Sequence, residues 1–263
     1  MPELLAVALA GGYLWAVSAV ARRGRPWPLG RTLAWCAGAL AAGLGPHLRT
    51  PGEFTAHMAG HLLLGMVAPL LLVAGAPITL LLRALPAARA RALSRLLRSA
   101  PVRALTHPVT AALLNAGGLW LLYATPLYAA SAHPGWPHAA VHVHVLAAGY
   151  LFTAALIGPD PAPHRPSFGV RAAALAGFLG AHAVLAKWLY AHPPPGVGAA
   201  DAEAAAYLMY YGGELIDLVL IVLFCRAWYA AAAPGQRTRI TTRLRGSAGM
   251  RRSEISRSWG GTS

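Results

Sequence analysis

Apolar runs of about 20 residues, each bounded by charge or proline, recur along this chain and constrain it more than any other feature. A helix of about 20 residues, rising about 1.5 Å per residue, crosses the roughly 30 Å hydrocarbon core of a bilayer. Seven runs can be marked: Leu4 to Ala21, Thr32 to Gly45, Thr55 to Leu82, Val109 to Pro126, Ala139 to Ile157, Ala172 to Tyr190 and Ala204 to Trp228. Lipid offers backbone amides and carbonyls no partner, so each run must close its own hydrogen bonds as a helix. The expected fold is an all-α integral membrane protein with seven transmembrane helices. The third run contains Pro69 and Gly75-Ala76-Pro77, where it should kink or break. With 57% hydrophobic residues, 11% charged residues and a mean hydropathy of +0.50, a soluble enzyme built on one aqueous core is excluded.

The formal net charge is +14, yet the basic residues sit in short hinges and in the tail, where anionic lipid is a better partner than nucleic acid. Arg22 to Arg31, Arg83 to Arg103, Arg165 with Arg171, and Arg226 to Arg257 hold all but Arg49 and Lys187 of the 22 basic residues, and all fall on one side of the seven-run topology. Basic residues stay cytoplasmic, which places the N-terminus outside and the C-terminus inside a plasma membrane of bacterial type. Residues 1–233 form the helical bundle, and residues 234–263, basic and without apolar periodicity, read as a disordered cytoplasmic tail. The first run follows Glu3 rather than a basic leader and is read as a retained span. Two cysteines, Cys36 and Cys225, with no CxxC pair, give no disulfide framework or thiolate metal site.

On that topology nine of the eleven histidines fall in outer loops or outer parts of spans, leaving only His107 and His164 inside. Histidine inside a membrane is costly and points to function. His57 and His61 stand at i and i+4, and so do His138 and His142, each pair on one helical face at equal depth. Four imidazoles suit copper, and imidazole also suits zinc or iron. Further donors at hand are Met58, Met209, His144 and His182; His144 lies about 200° around the helix from His142, on another face. Either methionine can equally fill the core, and His182 can equally be a satisfied core histidine. His47, His133 and His192 read as solvated loop residues. Glu214 and Asp217, at i and i+3 in the last span, form a polar network, either sharing a proton or meeting Lys187 or an imidazole.

Several blocks resemble the CtaG-type, caa-type oxidase group of cytochrome c oxidase assembly factors. The first runs from His57-Met58-Ala59-Gly60-His61 through Ala68-Pro69 and Gly75-Ala76-Pro77 to Leu85-Pro86. Others are His107-Pro108 with Leu119-Trp120, His138 to His142 with Gly158-Pro159-Asp160-Pro161, and Asp201 with Leu208-Met209-Tyr210 and Gly212-Gly213-Glu214. The resemblance implies an accessory factor that assembles a haem-copper oxidase through copper delivery or maturation at the outer face, with oxidase subunits as partners. Gly60 stands where glutamine is usual, and Val141 where an acidic residue usually precedes the second histidine.

Two functions compete. A non-enzymatic delivery protein would hold copper through His57, His61, His138 and His142; a membrane zinc metallohydrolase would use the same imidazoles to activate water beside a carboxylate. Bis-histidine haem is a third reading. The zinc enzyme is disfavoured because Glu214 and Asp217 lie deeper than His57 and His138.

Overall fold

The structure is a computed structural model that describes residues 2–48, 53–131 and 135–232. Its described residues are helical, joined by turns, with no strand among them. They are α1 (Pro2–Ala21), α2 (Leu29–Leu44), α3 (Phe54–Leu62), α4 (Ala68–Ala74), α5 (Pro77–Ala84), α6 (Ala87–Leu97), α7 (Ala100–Leu105), α8 (Pro108–Ala124), α9 (Leu127–Ala130), α10 (Trp136–Ile157), α11 (Phe168–Ala191), α12 (Ala199–Tyr207) and α13 (Gly213–Ala232). Five stretches are long and apolar enough to cross a membrane: Glu3–Ala21, Phe54–Ala74, Trp136–Ile157, Phe168–Ala191 and Ala199–Ala230. Pro108–Ala124 is apolar but shorter, and α2 is 16 residues long, about 24 Å at helical rise.

The third apolar run departs from its expected extent. Its helix passes from α3 through a π-helical turn, Leu63–Val67, into α4 and stops at Ala74. Ala76 then takes a left-handed φ of 50°, and Pro77 opens α5 as a separate helix. A left-handed alanine costs about 1–2 kcal/mol, and Ala76 is wholly buried, so tertiary contacts hold it there. Tyr13 of α1 donates from its hydroxyl to Gly75 O at 2.7 Å, capping the broken end. The π turn lies one turn ahead of Pro69, which has no N–H for the Gly65 carbonyl; a Cβ at Gly149 of α10 would strike that same carbonyl oxygen. Small residues thus let the two backbones meet, as membrane helices require where lipid is as apolar as leucine.

The chain divides into two units, Met1–Ile221 and Val222–Ser263. In the first, α2 packs between α1 and α4, and α4 with its π turn packs on α10. From α10 the contacts run to α8, to α11, to α12 and back to α3. That closed circuit surrounds a core of Phe54, Met58, Tyr123, Val145, Leu185 and Met209. Arg165 and Arg171 donate to the terminal α10 carbonyls of Gly158 and Leu156, where a helix dipole favours cations. Of the second unit, the described part is the end of α13, where the Trp228 and Tyr229 rings meet at 4.9 Å between centroids. The expected tail, 234–263, lies outside the described residues.

Candidate functional site

Glu53, at the N-cap position of α3, makes no side-chain cap. Asp201 of α12 supplies the cap instead: its Oδ2 accepts from Phe54 N at 2.5 Å, and its Oδ1 accepts from Thr55 N at 3.0 Å and Thr55 Oγ1 at 2.6 Å. This fixes the first turn of α3, and His57 and His61 follow on one face of it.

His57, His61 and His142 line one small cavity of about 30 Å³ with Gly60, Tyr123 and Ser131. A space of this size holds a water or an ion. His61 is buried, and its Nε2 has no hydrogen-bond partner. The other rings are oriented by hydrogen bonds. His142 Nδ1 lies 2.7 Å from His138 O, and His138 Nδ1 lies 3.1 Å from Ser131 O. A carbonyl oxygen only accepts, so each Nδ1 carries the proton and in the neutral ring each Nε2 carries the lone pair. His57 Nε2 lies 3.0 Å from the Tyr123 hydroxyl, which donates to Met58 Sδ at 3.7 Å. The Tyr123 hydroxyl thus bridges His57 Nε2 and Met58 Sδ and fixes the His57 ring in place. The His138 and His142 rings lie 4.2 Å apart between centroids, tilted 44° to each other. These pairings are what a bound cation needs: outer partners that hold the tautomer and aim the remaining nitrogen. Among the described residues no three His, Cys, Asp or Glu side chains already stand where they could hold a metal ion.

Apart from Met58, whose Sδ meets the Tyr123 hydroxyl, the other sequence candidates separate from this cluster. His144 packs its ring against Gly118 of α8, 3.1 Å from Leu114 O, on a different face. His182 is buried against Gly213, its ring stacked on Phe178 at 5.7 Å, with Nε2 also lacking a partner. Met58 and Met209 are fully buried in the core. Glu214 and Asp217 part company: Glu214 is exposed and bonded to the Tyr210 hydroxyl, whereas Asp217 is buried beside a second cavity with Asn115 and Thr153. Lys187 stands over the Tyr210 ring, 5.3 Å from its centre. His47 pairs with Glu3 at 2.7 Å, and His133 lies outside the described residues.

A sequence profile described as cytochrome c oxidase caa3 assembly factor matches residues 11–231. The chain belongs to this family. An uncharacterized protein of Mycobacterium bovis is 39% identical over 188 residues, 67% of this chain and 28% of that protein, and one of Mycobacterium tuberculosis matches equally. A Mycobacterium leprae protein, also uncharacterized, is 38% identical over 189 residues, 68% of this chain and 29% of its own length. The chain thus spans under a third of the curated relatives it matches. No solved structure matches it.

A Cβ at Gly60 would run into Gly45 O at the end of α2, so a longer side chain has no room here. Val141 lines the histidine cavity, which has no Asp or Glu among its described lining residues. Tyr123, Ser131 and Asp201 were not legible as site residues, because Tyr123 and Asp201 act from other helices and Ser131 from the turn after α9. One signal existed for Asp201: Phe54-Thr55 opens a helix with no capping side chain of its own.

Proposed function

We propose that this chain is a non-enzymatic assembly factor for a haem-copper oxidase that holds copper as cargo at its outer end. The observation that carries the reading is the unpartnered Nε2 of buried His61 in a cavity shared with His57 and His142. Copper fits that donor set by softness and by number, since Cu(I) accepts few imidazoles and a nearby thioether. His61 and His142 would hold the ion through Nε2, with His57 drawn in on loading, since among the described residues no three donors stand in place beforehand; His138 orients His142 through its carbonyl and becomes a further donor if its ring turns. Tyr123 and Ser131 hold His57 and His138. With no more than three or four neutral donors, such an ion can be handed on by ligand exchange to an oxidase subunit.

Seven spans, with α2 and α8 completing the five long ones, and an outside N-terminus put this cavity on the side where an oxidase's extracytoplasmic copper centre is filled. The basic loops hold the opposite end at anionic lipid. A zinc hydrolase is less well supported, because the described cavity residues include no carboxylate to act as a base.

Copper content of the purified full-length chain after loading and dialysis tests the reading. About one copper per chain, lost in His61→Ala, supports it; zinc in its place, or no metal from either ion, overturns it.

A further inference from the structure

At the end of the molecule opposite the histidine cavity lies a larger chamber, about 270 Å³, that the copper reading does not use. It approaches the lower end of small-molecule sites, roughly 300–1,000 Å³. Its floor is apolar, from Leu151, Ala154 and Ala155 of α10, and its roof is Leu97 and Val102 of α6 and α7. The roof helix α6 is amphipathic. Ala90, Leu93, Ser94 and Leu97 of α6 are half-buried at i, i+3, i+4 and i+7, while Arg89, Arg91, Arg95 and Arg98 are exposed. An apolar stripe with arginines opposite it suits a helix lying in a headgroup layer rather than crossing it.

The rim of the chamber is cationic. Arg103 and Arg165 both line it, and Arg103 has no described carboxylate partner. Arg165 spends one donor on Gly158 O, leaving most of its five-donor fork. The one acid there, Asp160, is committed elsewhere: it accepts from Ile78 N at 3.1 Å, Thr79 N at 2.7 Å and Thr79 Oγ1 at 2.6 Å, capping α5. An apolar interior under two guanidinium groups matches an amphiphile with an anionic head.

We propose that this chamber binds one anionic phospholipid, its phosphate at Arg103 and Arg165 and the start of an acyl chain between α10 and the α6–α7 roof. This lipid would lock the roof helices to the bundle.

The test is native mass spectrometry of the delipidated full-length protein in detergent, with phosphatidylglycerol, phosphatidylcholine or inorganic phosphate added separately. The expected result is one retained phosphatidylglycerol, with occupancy roughly 5-fold or more above phosphatidylcholine, whose choline cation cancels the phosphate charge that the two guanidinium groups would meet. Arg103→Gln should lower it by a similar factor and Arg103→Lys should largely restore it. Ala155→Phe, which fills the floor and keeps every cation, should remove it. Equal retention of both lipids, or retention unchanged in Arg103→Gln and Ala155→Phe, would overturn the proposal. Inorganic phosphate binding as well as the lipid would assign the rim to a free anion instead.

Discussion

Asp201 accepts two hydrogen bonds from Thr55, one from its backbone N at 3.0 Å and one from its hydroxyl at 2.6 Å, so a residue of α12 begins the helix that carries His57 and His61. Asp160 does the same for Thr79 at the start of α5. Helix N-termini present unsatisfied amides that must find acceptors, and here the acceptors come from the first turn of α12 and the loop after α10, tying separate elements together.

Asp201→Ala should therefore lower stability by about 1 kcal/mol, the usual cost of losing an N-cap. It should also weaken copper retention although no ligand is touched. Thermal unfolding in detergent, paired with metal content, checks this; Asp201→Asn, which keeps one acceptor oxygen, should fall between. Retention unchanged in Asp201→Ala would disconnect the cap from the histidines.

Tyr123→Phe removes the hydroxyl that meets His57 Nε2 at 3.0 Å and leaves the ring in the core. Outer partners of metal ligands are worth about 10–100-fold in affinity. Copper affinity should fall about 10-fold by competition with a chelator, with little change in unfolding temperature. A variant that binds copper as tightly as the parent would remove Tyr123 from the account.

Gly60→Gln should destabilise this chain, because its Cβ would meet Gly45 O. Overpacking of this kind costs about 1–3 kcal/mol. Gly60→Ala should show nearly the same loss, since the Cβ alone makes the clash. Both variants folding as stably as the parent would show that α2 and α3 can part freely.

The apolar runs made the helices legible because membrane helices leave a one-dimensional trace. Even the break at Gly75-Ala76-Pro77 was readable, from proline's missing donor. The length of the third span was not, because only the left-handed Ala76 and the Asp160 cap show that Pro77–Ala84 is a separate helix. The i, i+4 spacing placed His57 with His61 and His138 with His142 on single faces, but could not say which side chains from other helices face them. His138 turns to Ser131 O, and Tyr123 arrives from α8. Glu214 and Asp217, neighbours by spacing, separate because only one of them faces the interior.

His107→Ala and His164→Ala should leave copper retention near the parent level, whereas His61→Ala and His142→Ala should lower it about 10-fold or more, as loss of a ligand would. Atomic absorption on the purified variants after dialysis measures this. Equal losses from all four would signify general destabilisation rather than a site.

The most direct measurement is haem-copper oxidase activity and copper content in membranes of a strain lacking this protein, complemented with the parent chain or with His61→Ala. The account predicts reduced activity and reduced oxidase copper in the deletion, recovery with the parent, no recovery with His61→Ala, and partial recovery when copper is added to the medium. Full activity and normal oxidase copper in the deletion strain would contradict it.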